Sequence, residues 1–248
     1  MSQQQPGTVL GRVRAVFFDL DDTLYDFRRT WETVTRAFLA EILPPPHRVD
    51  EVWPAFDRLN RVIYHYADRG HFPGRLARRL RWELLAAFLG LHFPDFDALT
   101  ADHIGRMAAG CVPFPDTLPT LARLRALGLT LGVITNGPRE LLARRLTAIG
   151  ARDYFPDHLC IAADQVGRLK PGPEIFLAAL AAAEVAPHEA LYVGDSWTFD
   201  VKGAEAAGIP VIWIDRRRRP PPDPALIVAA VPDLTAVADL LTRARRSP

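Results

Sequence analysis

Two carboxylates, Asp19 and Asp21, stand two residues apart in FFDLDDTLYD, directly behind a short apolar run. Asp195 and Asp200 form a second acidic pair in GDSWTFD. Between them lie a hydroxyl and an amide, in Thr135-Asn136-Gly137, and an ammonium, Lys170, in LKPGPEIF. Carboxylates brought close together repel, so a hard divalent cation is expected among them, and all-oxygen ligation suits Mg²⁺. A cation, a lysine and helix N-termini facing one point make an anion site, with phosphate the natural anion. One carboxylate can then act as a nucleophile and form an aspartyl-phosphate. A second, two residues on, can act as general acid and then as base.

For that chemistry, distant segments must meet. Arg14–Leu20 reads as a buried strand, rich in Val and Phe and ending in carboxylates. Leu129–Ile134, His158–Ala162, Ala190–Val193 and Pro210–Ile214 have the same character. Helical patterns alternate with them: Thr117–Leu127 before Gly128, Pro138–Ile149 before Gly150, Pro173–Glu184, and Asp200–Ala207 before Gly208. The alternation predicts right-handed βαβ units in an α/β fold, a Rossmann-like, doubly wound parallel sheet with helices on both faces. In such sheets ligands bind beyond the carboxyl ends of the strands. Each polar motif above follows a strand end or the loop after it. One stretch, Trp31 to about Gly110, has helical patterns and no convincing strand. The expected organisation is therefore a catalytic core of residues 1–24 and 111–248 and a helical domain, 25–110, inserted after the first strand.

Blander readings exist for each motif. Asp22 and Thr23 suit a turn, Thr135-Asn136-Gly137 a turn and helix cap, and Lys170 and Lys202 solvent. His65 and His71 read as surface or packing residues. The Arg216–Pro222 run reads as a solvated loop. The arginines of the insert read equally as the wet face of amphipathic helices.

Composition narrows the classes. A formal net charge of +1 argues against a dedicated nucleic-acid binder. Hydrophobic content of 49% with 24% charged residues fits a folded globular protein. No apolar run approaches the ~18–20 residues of a membrane span. The start, MSQQQPGTVLGRVR, lacks the apolar stretch of a secretory signal, so a cytoplasmic setting is expected. Cys111 and Cys160 read as buried free thiols. Of the 30 basic residues only Lys170 and Lys202 are lysines, so most cationic positions are written as Arg.

FFDLDDTLYD, ITNG, LKPGPEIF and GDSWTFD together resemble the four motifs of the haloacid dehalogenase superfamily, in family order and spanning the chain. Most members are Mg²⁺-dependent phosphatases. The insert resembles the helical cap of the subfamily I (C1) members. The resemblance implies Asp19 as nucleophile and Asp21 as acid/base, its carbonyl on the metal. It implies Thr135 and the Asn136 amide on the phosphoryl oxygens and Lys170 neutralising nucleophile and phosphoryl group. Asp195 would bind Mg²⁺ directly, with Asp200 close by or through water. Metal contact is thus expected from Asp19, Asp21, Asp195 and Asp200.

Within that family, Asp21 favours an alkoxide leaving group over a halide, which needs no proton. The lysine-free insert excludes the Schiff-base phosphonate branch, and Thr23 favours hydrolysis over the mutases. Asp22 departs from the common DxDGT pattern, in which Gly stands at this position. The expected function is a phosphomonoester hydrolase for a small phosphorylated metabolite. Arginines and aromatics in the insert would suit a nucleotide or flavin mononucleotide, while sugar phosphates and phosphoglycolate stay open. The rivals are a phosphotransferase or phosphomutase, a phospho-accepting signalling module, and an idle scaffold presenting Arg216–Arg219. A small-molecule substrate, no nucleic acid, no membrane and a monomer or homodimer complete the expectation.

Overall fold

The computed structural model describes residues 6–67 and 69–246. Contacts divide the chain into two units: residues up to Phe27 together with those from Cys111 onward, and Arg28–Gly110. In chain order the elements are α1 (Pro6–Gly11), β1 (Ala15–Phe18), α2 (Phe27–Ile42), α3 (Val49–Ala67), α4 (Gly74–Leu89), α5 (Phe96–Ala109), α6 (Thr117–Ala126), β2 (Thr130–Thr135), α7 (Arg139–Ala148), β3 (Cys160–Ala162), α8 (Ala163–Val166), α9 (Pro173–Ala183), β4 (Ala190–Gly194), α10 (Lys202–Ala206), β5 (Val211–Ile214), β6 (Ala229–Val231) and α11 (Leu234–Arg246).

In the first unit the described strands form one parallel sheet in the order β3-β2-β1-β4-β5-β6. The α/β alternation read from the sequence is therefore the fold. Successive residues of a strand face opposite sides. Val16 and Phe18 join one apolar core with Leu121, Leu142 and Leu241. Ala15 and Phe17 join the other with Phe176, Tyr192 and Trp213. Every residue of β1 is buried, as a central strand covered on both faces requires. Register then places the site. Phe18 pairs with Val133 on β2 and with Val193 on β4. Asp19 is therefore level with Ile134 and Gly194, and Thr135 and Asp195 stand one residue further on.

Three features differ from the sequence expectation. α1, β6 and α11 extend the pattern; α11 buries Leu234, Val237, Ala238, Leu241 and Ala244 at helical spacing. Asp200–Ala207 is not one helix: a π turn, Trp197–Val201, precedes α10. Both the Asp200 and Val201 amides donate to the Ser196 carbonyl there. The Arg216–Pro222 run is only partly solvated. Arg216 lies flat over Phe114, 3.5 Å from the ring centre, and grips Asp116 with both terminal nitrogens at 3.3 Å. Arg219 pairs with Asp215 at 2.8 Å, while Arg217 and Arg218 are exposed. Cys111 and Cys160 are buried, and no disulfide joins them. Among the described residues no helix is long and apolar enough to cross a membrane.

The second unit is built from helices around an aromatic core. Phe56 stacks on Trp31 and on Trp82, and His103 meets Trp31, Phe38 and Trp82 edge-on. Arg81, 4% exposed, lies over both Trp31 and Trp82 and donates to His103 Nδ1 at 2.9 Å. A guanidinium only donates, so His103 carries its proton on Nε2, facing Thr35 Oγ1 at 3.0 Å. Burial first, then Arg81 and Arg106, push the imidazole down to about 2.

That shift makes a stability prediction. Neutral His103 belongs to the folded state, and the unfolded chain takes up a proton below about pH 6.5. The stability it supplies is complete above that value and is lost as pH falls. Between pH 7 and 5, wild type should lose about 2 kcal/mol more unfolding free energy than His103→Gln, at ~1.4 kcal/mol per pH unit. Urea melts at both pH values decide it; equal losses would remove His103 from the account.

Candidate active site

Lys170 is the centre of the cluster. Its ammonium, 4% exposed, donates to Asp19 Oδ1 at 2.5 Å, Asp200 Oδ1 at 2.7 Å and Tyr192 Oη at 3.1 Å. Three donors meet three acceptors, so it is saturated. The backbone carrying it is fixed by Asn136. That side chain accepts from the Lys170 amide at 2.8 Å and donates to the Lys170 carbonyl at 3.2 Å. Lys170 is thus buried, and the solvated-loop reading fails. Burial alone would lower the lysine, but Asp19 and Asp200 more than offset it and hold it above its usual range.

Asp19 extends β1: its amide donates to the Val193 carbonyl at 2.9 Å. Burial pushes its carboxyl up; Lys170 opposes this, while Asp200 and Asp21 add to it. Asp195 is also pushed up, by burial first and then by Asp19, Asp200 and Asp22. Its carbonyl accepts from the Trp213 indole at 2.7 Å. Asp200 is fully buried, with both oxygens engaged: Oδ1 by Lys170 and Tyr192, Oδ2 by the Ser196 amide at 2.9 Å. Gly194 is what admits it, since a Cβ there would lie 2.5 Å from the Asp200 carboxyl carbon. Tyr192, raised well above the usual tyrosine range by burial and then Asp200, stays protonated and donates to Asp200 at 2.9 Å.

Asp19, Asp195 and Asp200 each bring a carboxylate oxygen within 4.8 Å of the others, a group that could hold a metal ion. The donor set is all oxygen, and one lysine leaves the cluster net negative, as a hard divalent cation requires. Because Asp200 has spent both oxygens on protein donors, Asp19 and Asp195 are the better direct ligands.

Thr135 is buried at the end of β2, its hydroxyl accepting from the Gly137 amide at 3.0 Å. Asp21 accepts from Arg145 Nη1 at 3.2 Å and from the Tyr25 hydroxyl. Asp22 sits at φ 58°, the left-handed region. Asp tolerates that region better than most residues, which accounts for its standing where the resembled pattern has Gly. Lys202 is exposed at the start of α10, and His65 and His71 are exposed in the second unit. Sequence reasoning did not reach Tyr192, Tyr25, Arg145 or Trp213. Tyr192 carried a signal: a phenol in a strand buried on both faces needs a partner. Arg145 carried none among so many arginines.

An open parallel sheet, a carboxylate–lysine cluster at its carboxyl edge and a helical insert after the first strand define a class of α/β hydrolytic enzymes. The chain belongs to the haloacid dehalogenase-like hydrolases, whose family model matches residues 13–208. It is 30% identical over 212 residues to glyceraldehyde 3-phosphate phosphatase of Methanopyrus kandleri, covering 82% of this chain and 84% of that one. It is 31% identical over 236 residues to the plasmid phosphoglycolate phosphatase of Cupriavidus necator, covering 94% and 95%. The magnesium-bound crystal structure of the putative hydrolase YfnB from Bacillus subtilis has the same fold. It aligns with a TM-score of 0.79 at 21% identity over 93% of this chain and 99% of that one.

The raised carboxyls make a second prediction. Groups held above their ordinary range stabilise the fold most at low pH, and that stability is lost as pH rises toward the raised values. At pH 7.5 without metal, Asp195→Asn should therefore raise unfolding free energy by about 1–3 kcal/mol. It should also abolish any gain in melting temperature on adding Mg²⁺. A destabilised variant that still responds to Mg²⁺ would show that Asp195 is neither strained nor a metal residue.

Proposed function

We propose that the protein is a Mg²⁺-dependent phosphomonoester hydrolase acting on a small phosphorylated metabolite through an aspartyl-phosphate. The observation that carries this reading is the buried contact of Lys170 with Asp19, with Asp195 alongside and Asp21 two residues on. Asp19 attacks phosphorus, and the bond to the leaving oxygen breaks as Asp21 gives that oxygen a proton. The Thr135 hydroxyl and the Asn136 backbone amide bind the phosphoryl oxygens, and the charge of Lys170 neutralises nucleophile and phosphoryl group. Water then attacks phosphorus, Asp21 takes its proton, and Asp19 departs as carboxylate. Bound Mg²⁺, held by Asp19, Asp195 and the Asp21 carbonyl, with Asp200 close by or through water, would neutralise the charge of phosphate and nucleophile. The helical unit acts as the cap that excludes water and selects the leaving group.

Replacing Asp19 with Asn should abolish turnover of p-nitrophenyl phosphate, and EDTA should do the same reversibly. Turnover surviving both changes would sink the mechanism.

The substrate reading shifts toward short chains. Trp82 and Arg81, among the aromatics and arginines of the insert that suited a flat anionic ring, are consumed with Trp31 in the helical unit's own core. Arg61 pairs with Asp57, and Arg79 pairs with Glu83 and Asp97. The relatives above are named for two- and three-carbon phosphates. Short-chain phosphates should therefore exceed nucleotides and flavin mononucleotide in kcat/KM by at least ~10-fold, a difference of about 1.4 kcal/mol. A metabolite screen led by nucleotides would restore the ring reading.

A further inference from the structure

We propose that Arg145 and Tyr25 are positioning residues that clamp Asp21 for the second half of the reaction. The inference rests on the proposed function and adds to it two residues that none of the four motifs contributes as a reacting group. Asp21 is not left to rotate freely at the mouth of the site. The Tyr25 hydroxyl donates to its Oδ1, and Arg145 Nη1 lies 3.2 Å from Oδ1 and 3.4 Å from Oδ2. The two donors come from different elements, the loop after β1 and helix α7, so the carboxylate is held from two directions.

Both donors are themselves braced. Tyr25 is 1% exposed, its ring edge-on to Phe27. The Arg145 side chain is 13% exposed, whereas Asp21 keeps 38% of its side chain open. The clamp is therefore more deeply buried than its target. The Thr-Asn-Gly motif makes room for it. A Cβ on Gly137 would stand 3.3 Å from both Arg145 Nη1 and Thr135 Oγ1. The glycine thus leaves the gap through which the guanidinium passes beside the Thr135 hydroxyl to Asp21.

The chemistry assigns the clamp to one step. In the first step Asp21 must release a proton to the leaving oxygen. In the second it must receive one: the water oxygen bonds to phosphorus, the phosphorus–Asp19 bond breaks, its electron pair returns to Asp19, and the water proton passes to Asp21. As arranged here the guanidinium and the phenol both donate to the Asp21 oxygens. They therefore fix the orientation of its two oxygens, which the second step needs aligned with the attacking water. A loosened base loses near-attack geometry without losing substrate binding.

p-Nitrophenyl phosphate separates the steps, because its leaving group departs without a proton. Arg145→Gln and Tyr25→Phe should each lower kcat about 10- to 100-fold, below the ~10²–10⁴ of complete acid–base catalysis. Each should also produce a rapid burst of p-nitrophenolate near one equivalent per site. Substrate affinity, read as the Kd of an inert phosphate analogue, should stay within about three-fold of wild type. Arg145→Lys should restore part of kcat and shrink the burst. If Arg145→Gln fails to fold, Tyr25→Phe, which removes one oxygen, carries the test. Variants that fold, turn over within two-fold of wild type and show no burst would overturn the clamp. That result leaves the loss of activity in Asp19→Asn untouched, so the two failures are distinguishable.

Discussion

The structure turns on an ammonium buried among acids. Lys170 reaches Asp19, Asp200 and Tyr192 at once, and no other described group could take that place without rearranging all three. A guanidinium needs a planar fork and a pair of acceptors in that plane. Three acceptors converging on one point need a compact cation with three diverging donors. Isolated in a low-dielectric interior such a charge would be expelled or neutralised, but two carboxylates hold it charged. The same contact keeps the nucleophile candidate, Asp19, from facing its acidic neighbours alone. Breaking it by removing one partner leaves an uncompensated buried charge, the costly half of any buried pair.

Much of the local architecture follows from that requirement. Lys170 sits in the loop after the edge strand β3 and α8, so its backbone must be carried inward to the sheet centre. Asn136, at the end of the neighbouring strand, holds both the amide and the carbonyl of the residue. Asp200 must approach from the opposite side, and Gly194 is stripped of a side chain to let it in. The π turn after Ser196 sets Asp200 facing back over β4 rather than outward along a regular helix. Asp200 is then part of the frame that holds the lysine. The two acids of one motif thus differ in setting: Asp200 braces the lysine, and Asp195 makes no contact with it.

The candidate site residues were legible in the sequence wherever a residue type was rare or its spacing unusual. Asp19, Asp21, Thr135, Lys170, Asp195 and Asp200 all follow apolar runs or lie in short polar motifs, and the α/β alternation says which ends meet. The core strands were legible for the same reason, since β1, β2, β4 and β5 are nearly continuous apolar runs. β6 was not: Ala-Ala-Val at a sheet edge buries one residue and carries no period. Arg145 was invisible for a different reason: its partner, Asp21, lies across the chain from α7, and nothing local separates it from its neighbour Arg144. Tyr25 stood inside the first motif, but its spacing from Asp21 did not say that its hydroxyl turns back onto that carboxylate. The insert misled in the opposite sense. Arg81, Trp31 and Trp82 have the composition of an anion-and-ring site, yet the same planar groups stack equally well on each other. Pattern alone does not say whether a cation faces a ligand or a tryptophan.

Arginine's abundance then has a physical counterpart inside the molecule. Two arginines lie over aromatic rings while their nitrogens meet polar partners. Arg216 lies flat on Phe114 while its two terminal nitrogens grip Asp116. Arg81 lies over Trp31 and Trp82 while donating to His103 and Asn60. An ammonium could supply the charge in any of these places but neither the flat face nor the span. The site of Lys170 reverses the demand, because a flat ion would fit only two of its three acceptors. A composition that writes Arg almost everywhere is thus compatible with one position where Arg does not fit, and that position lies beside Asp19. Lys202, exposed at the head of α10, meets no such constraint. The scarcity of lysine pointed to two residues, and burial separates the one that the cluster requires from the one that solvent tolerates.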